Sequence, residues 1–225
     1  MQYDNAHDGT LHLFDCDGVI VDSNLKKVTT LKNALLHVGA PDNLVDWASR
    51  EFQKNFGRTR SEHFAKFRDF KKYLLSDDDI RSALAFYSSK MQELYKDVNL
   101  IKETIDFIKL INHKHKYIVS ASDQDELQAV LPKRIDYIVD TKNIFGGPTS
   151  KKKNIKKILS NNNAYKKVIL YGDSIQDAKA SIDCEIDFIG LTSFSADPFA
   201  FKNFCDNNGL KYFEVLSKEI YSNIV

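Results

Sequence analysis

The 225-residue chain is short of the features that mark specialised protein classes. It has only three cysteines, Cys16, Cys184 and Cys205, widely spaced and in no CxxC pair. That argues against a disulfide framework and a structural zinc site. It fits a reducing compartment, with the cytoplasm as the expected location. No run of about eighteen apolar residues occurs, so no membrane-spanning helix is expected. The opening MQYDNAHDGT is polar and lacks the apolar centre of a signal peptide. Neither sign of charge dominates: 32 basic and 31 acidic residues leave a formal net charge of +1. Bulk electrostatic binding to nucleic acid or to an anionic membrane is therefore not expected. Neither GxxxxGK[ST] nor GxGxxG is present, which disfavours the nucleotide-binding folds.

Hydrophobic residues make up 43% of the chain, enough for one large domain or a core with an insertion. Short apolar runs at residues 11–14 (LHLF), 117–119 (YIV), 137–139 (YIV), 168–171 (VILY) and 186–191 read as buried strands. Helical spacing fills residues 101–111, 125–131, 152–159 and 177–181. Alternating strands and helices predict an α/β fold, a parallel sheet with helices on both faces. The alternation breaks after the first strand. Helical patterns at residues 25–39, 45–55, 61–73 and 78–95 are uninterrupted by any strand, the first ending at the Gly39-Ala40-Pro41 breaker. This block, residues 23–97, is expected to be a small all-helical cap domain. Residues 1–22 and 98–225 would form the core, with a closing strand and helix within 212–220.

Four clusters stand at strand ends. Asp15-Cys16-Asp17-Gly18 follows LHLF, and Gly18 allows a sharp turn and close approach to a ligand. Ser120, followed by Ala121, ends YIV. Lys151 lies in a Gly- and Pro-marked loop beside a helix start. Gly172-Asp173-Ser174-Ile175-Gln176-Asp177 follows VILY. Singly these are turn or cap chemistry. Together they lie where an open parallel sheet binds ligands, outside the carboxyl ends of its strands. Acids alone would repel a phosphate. Acids holding a hard cation, beside a lysine and a hydroxyl, would bind one, and magnesium suits oxygen donors without a His/Cys cluster.

In these residues the chain resembles the haloacid dehalogenase superfamily. DCDGVIVDS at residues 15–23 is similar to its first motif, and Ser120, Lys151 and GDSIQD to the other three, in order from about residue 11 to 191. The resemblance implies a Rossmann-like core, and a cap of the kind found in phosphoglycolate phosphatases and beta-phosphoglucomutases. It implies a magnesium-dependent phosphatase acting on a small-molecule phosphate ester. Asp15 would be the nucleophile and Asp17 the acid and base. Ser120 and Lys151 would hold phosphoryl oxygens, with Gly18 and Ala121 beside the substrate. Asp15, Asp173 and Asp177 would hold magnesium together with Asp17, through its backbone carbonyl, Asp177 acting in or just outside that shell and orienting Lys151. Asp17 argues against dehalogenation, which needs no proton on a leaving alkoxide. A phosphomutase shares every core residue. A phosphoaccepting receiver module also uses Asp, a hydroxyl, Lys and magnesium, but its Asp follows a later strand and it needs no cap. In the block at 23–97, Gly57-Arg58-Thr59-Arg60 resembles a mutase stretch in which an Arg contacts the distal phosphate. Arg60, with Arg58 second, is therefore expected on the substrate.

Overall fold

The chain's first strand is buried on both sides. In the computed structural model, which describes residues 9–68, 75–112, 115–135, 137–162 and 164–224, all five residues of β1 (Thr10–Phe14) are buried. A strand covered on both faces must be apolar at successive positions, as LHLF is. Leu11 and Leu13 pack in the cluster on one face of the sheet, Phe14 in the cluster on the other, as the two-residue side-chain period requires. Phe14 stacks on Tyr171 with ring centroids 4.6 Å apart.

Among the described residues, six parallel strands form one sheet in the order β3-β2-β1-β4-β5-β6. They are β1, β2 (Lys116–Asp123), β3 (Ile144–Gly147), β4 (Lys167–Gly172), β5 (Asp187–Leu191) and β6 (Lys211–Phe213). Sequential strands run outward in one direction from β1 and, starting again at β4, outward in the other. The reversal between β1 and β4 opens the crevice in which such sheets bind ligands. Asp15 and Asp173 are the first residues beyond these two strands.

Between β1 and β2 lie α1 (Asn24–His37), α2 (Asp42–Lys54), α3 (Arg60–Arg68), α4 (Asp77–Asp97) and α5 (Lys102–Ile108). The first four correspond to the strand-free block expected from sequence; residues 69–73 of its third pattern lie outside the described residues. These helices bury an aromatic cluster, in which Phe52, Phe64 and Phe67 surround Tyr87 and His63. Each such ring removed from water contributes about 1.5–3 kcal/mol. The helix α4 starts on a reciprocal cap, in which Ser76 accepts from the Asp79 N–H and Asp79 accepts from the Ser76 N–H.

The remaining helices are α6 (Gln124–Val130), α7 (Pro132–Ile135), α8 (Lys151–Ser160), α9 (Ile175–Asp183), α10 (Pro198–Asn207) and α11 (Lys218–Ile224). The closing strand and helix expected within 212–220 are β6 and α11.

One expected strand is absent. Residues 137–139 form a turn, in which the Ile138 and Val139 N–H groups donate back to the Ile135 carbonyl at the end of α7. Ile138 and Val139 are buried because that turn packs on the core. The strand beside β2 is instead Ile144–Gly147. Its two glycines look like a loop, but a Cβ at Gly146 would lie 2.6 Å from the Ser122 carbonyl oxygen and 2.8 Å from Gln124 Cα. The glycine allows this close approach to the end of β2.

The three cysteines are free thiols. Among the described residues, no helix is long and apolar enough to cross a membrane.

Candidate active site

The carboxylates of Asp15, Asp173 and Asp177 each place an oxygen within 4.8 Å of the others. All three are buried. Asp177 is positioned by its own helix start: Ser174 accepts from the Asp177 N–H, and Asp177 Oδ2 accepts from the Ser174 N–H and hydroxyl. A Cβ at Gly172 would lie 2.4 Å from Asp177 Cβ. Gly18 has φ +74°, and a Cβ there would lie 2.2 Å from Asp173 Oδ2. The turn after β1 therefore needs glycine for its backbone and for the carboxylate behind it.

Lys151, the first residue of α8, reaches into this cluster. Its Nζ is 2.8 Å from Asp15 Oδ1 and also donates to Asp177 Oδ1. The neighbouring Lys152 points outward to Asp183, which separates the buried lysine from its solvated neighbours in the run. Burial pushes the Asp15 carboxyl up, and the charges of Asp177 and Asp17 push it further; Lys151 opposes them, leaving it at about 7. Asp173 is raised by burial and by the charges of Asp15 and Asp177. Three buried acids with one ammonium between them form an electrostatically incomplete set. A divalent cation with a preference for oxygen would complete it, so the residues present fit magnesium.

Asp17 belongs to a different network. Its carboxylate pairs with Lys27 Nζ at 2.9 Å and accepts from the Ser23, Tyr95 and Ser122 hydroxyls. Burial alone would raise it, but Lys27 and the hydrogen bonds from Ser23 and Tyr95 outweigh burial and hold it at about 2. The Asp17 side chain is thus not one of the clustered acids, in contrast to Asp15, Asp173 and Asp177. Ser120, fully buried in β2, accepts from the Ser122 N–H through its Oγ, which leaves its own O–H free to donate.

Lys27, Ser122, Tyr95 and Asn24 were not singled out from sequence. Asn24 donates to Asp173 Oδ2 at 2.6 Å and to the Phe194 carbonyl at 2.7 Å. One signal was available for two of them. Asn24, Lys27, Val28 and Leu31 fall at helical spacing on the inward face of α1, and a polar or charged residue in such a stripe needs a buried partner.

Arg60, expected on the substrate, lines the cavity beside Ala121 and already has protein partners there. Its guanidinium binds Glu126 on α6 through two bonds of 2.7 and 2.6 Å, donates to Ser88 Oγ at 2.7 Å, and lies over the Tyr87 ring. Glu126 is 2% exposed. An arginine held this way has its charge matched by a buried carboxylate, while its buried Nε keeps no hydrogen-bond partner among the described residues. Arg58 is exposed, and Ala121 lines a cavity beside Arg60. Gly57, with φ +91°, sits directly on the fourth cluster: a Cβ there would lie 2.8 Å from Ser174 Oγ and 2.9 Å from Gln176 Cβ. The turn between α2 and α3 therefore covers the acid cluster.

A family model for haloacid dehalogenase-like hydrolases matches residues 12–191. The chain belongs to that family. Compared with curated proteins, the sequence has no match. Several solved structures share its fold. A haloacid dehalogenase-like hydrolase from Streptococcus pneumoniae is 23% identical, with a TM-score of 0.68, covering 96% of this chain and 98% of the other. A predicted phosphoglycolate phosphatase from Haemophilus somnus is 18% identical, with a TM-score of 0.63 and coverage of 81% and 84%. A candidate beta-phosphoglucomutase from Bacteroides vulgatus is 17% identical, with a TM-score of 0.64 and coverage of 95% and 85%. Membership makes the protein a hydrolase of this superfamily; at these identities the solved structures establish the fold.

Proposed function

We propose that this hydrolase removes the phosphoryl group from a small phosphomonoester, with magnesium, in two steps through a phosphoryl-aspartate at Asp15. The observation that carries this reading is the placement of Lys151 between Asp15 and Asp177, within a buried cluster completed by Asp173. It brings together a nucleophile, an ammonium and a set of hard oxygen donors at the switch point of the sheet.

Asp15, Asp173 and the backbone carbonyl of Asp17 would hold the cation, which when bound supplies positive charge against the phosphoryl oxygens and keeps Asp15 ionised. Asp15 attacks phosphorus and displaces the alcohol. Lys151 and the free O–H of Ser120 hold the phosphoryl oxygens. Asp177 orients Lys151. Asp17 delivers a proton to the departing alkoxide, and then takes one from the water that hydrolyses the phosphoryl-aspartate. In its resting network Asp17 is ionised, the state required for the second step. For the first it must acquire a proton, and a phosphomonoester bound as its monoanion carries one in. Helices α1–α4 act as a cap, with Gly57 closing over the cluster.

A mutase would require two phosphate contacts. Pairing of Arg60 with Glu126 favours the phosphatase reading over it.

The test is chemical. Protein quenched in acid during turnover of para-nitrophenyl phosphate should carry a phosphoryl adduct on the peptide containing Asp15, detected by mass spectrometry. Protein stripped with EDTA should show none until magnesium is returned. Full turnover by Asp15→Asn would remove the covalent step from the proposal.

A further inference from the structure

Beside the phosphoryl end of the site is a second space. A cavity of about 200 Å³ lies at the seam between helices α3 and α4 on one side and the end of β2 on the other. Its lining includes Ala121, one residue beyond Ser120, and Thr59, two residues beyond Gly57. Because Ala121 directly follows Ser120, this cavity adjoins the phosphoryl end of the site and offers room for a leaving alcohol.

The charges around this cavity are already matched. Arg60 is the cation of its lining, and its guanidinium is held in two bonds by Glu126, a buried carboxylate of the core, with Ser88 taking a third. Asp123, also in the lining, is an acid engaged at the start of α6, where it accepts from the Asp125 and Glu126 N–H groups. The two lysines nearest the chemistry are paired as well, Lys27 with Asp17 and Lys151 with Asp15 and Asp177. Arg58 is exposed and outside the lining. An anionic group entering this space would find the Arg60 charge already matched by Glu126 and would meet the Asp123 carboxylate.

The neutral chemistry of the lining points to a different ligand. Ser88 accepts from Arg60 and keeps its O–H to donate. Thr59 donates to Glu62 and keeps lone pairs to accept, and Ser61 lies 3.3 Å from the Thr59 hydroxyl. Such hydroxyls match the hydroxyls of an alcohol. Building on the phosphatase reading, we infer that the leaving group is a small, uncharged, hydroxyl-bearing alcohol, and that Glu126 is a specificity-determining residue which, by occupying Arg60, turns away alcohols carrying a second phosphate or a carboxylate.

The experiment compares matched phosphate esters with and without the extra anion. Suitable pairs are glycerol phosphate against phosphoglycerate, and glucose phosphate against phosphogluconate and glucose bisphosphate. Wild-type protein should favour the neutral member in kcat/KM by about tenfold or more, since like charges brought together in an interface are costly. Glu126→Gln leaves Arg60 with net charge, and should move the ratio toward the anionic member by about tenfold, the scale of one charge-assisted hydrogen bond. Using a ratio within each variant cancels any general loss of folded protein. The double variant Arg60→Met with Glu126→Met keeps the seam filled and should not gain the anionic preference. Wild-type preference for the anionic member would overturn the inference, as would a Glu126→Gln ratio equal to the wild-type ratio. If Glu126→Gln does not fold, the wild-type ratio decides. Absence of any turnover and of an Asp15 adduct counts against the phosphatase reading instead. Calorimetric binding of the same pairs to the magnesium-loaded protein then decides the charge preference independently.

Discussion

Asp17 and Asp15 are two residues apart and are driven in opposite directions. Asp15 meets other acids and burial, and its carboxyl rises to about 7; Asp17 meets Lys27 and hydroxyls, and falls to about 2. Splitting two carboxylates in this way separates their roles. Asp17→Asn should reduce kcat/KM for alkyl phosphates by about 10²–10⁴-fold, the usual contribution of a positioned acid or base. The loss in the first step should be smaller for para-nitrophenyl phosphate, whose leaving group needs no proton, so the phosphoryl adduct on Asp15 should accumulate. Rapid-quench mass spectrometry measures this; equal losses on both ester types would remove Asp17 from the acid role. The same substitution leaves Lys27 buried without its partner, at a cost on the order of 3 kcal/mol. The sign with pH is set by the lowered carboxyl. Asp17 stabilises the fold above about pH 4, its unfolded value, and that contribution disappears as pH falls through about 2. Thermal melts should therefore show the wild-type advantage over Asp17→Asn at neutral pH and its loss in strong acid.

At the level of elements, legibility followed local pattern. Strands buried on both faces and ending in charged clusters, such as LHLF-DCDG and VILY-GDSIQD, are visible because apolar continuity and carboxylates coincide. Residues 137–139 have the same apolar look and form a turn, while Ile144–Gly147 looks like a loop and pairs with β2. Both cases are decided by what packs against the backbone, which one segment alone does not reveal. The pairing of Arg60 with Glu126 is hidden for a similar reason: 66 residues separate them, and either alone is an ordinary surface charge. Gly57 is a third example. A glycine between two helices reads as flexibility, but here it is a close contact with α9 at positive φ. Gly57→Ala should therefore strain the turn and lift it from Ser174, costing about 1–2 kcal/mol for the backbone alone. The expected readout is a fall in kcat/KM near tenfold with a melting temperature lowered by a few degrees. Gly172→Ala, which collides with Asp177 inside the core, should lower the melting temperature more. The reverse order of melting temperatures would contradict the assignment of Gly57 to the covering turn.

For the molecule as a whole, the acid cluster makes stability depend on pH and, on the proposed reading, on metal as well. Asp15 is raised by burial, Asp177 and Asp17 against Lys151, and Asp173 by burial, Asp15 and Asp177. Between about pH 4 and 7 the folded metal-free chain thus binds a proton at Asp15 that the unfolded chain does not, and the raised Asp173 acts in the same direction. Stability must then fall as pH rises through that window, and for Asp15 the full effect above pH 7 is up to about 4 kcal/mol. His63 has the opposite slope. Burial, with Lys27, Arg58 and Lys66, lowers it to about 3, so the unfolded chain takes up a proton there first, and stability rises with pH up to about 6.5. The two trends overlap, and the wild-type curve in the absence of metal conceals both. On the proposed reading magnesium should separate them, because it would compete with protons at the acid cluster and not at His63, which packs on Phe52 at a centroid distance of 4.4 Å. At a hundredfold excess over its dissociation constant, a cation bound only to the folded chain stabilises it by about 2.7 kcal/mol. At fixed magnesium, the rise in melting temperature should be large at pH 8 and shrink toward pH 5 as protons displace the cation. Asp15→Asn should raise the metal-free melting temperature at pH 8 relative to wild type and weaken the response to magnesium. A magnesium shift of equal size at both pH values would mean that the cation binds elsewhere. No shift at either, in protein that still turns over esters, would remove the metal from the site.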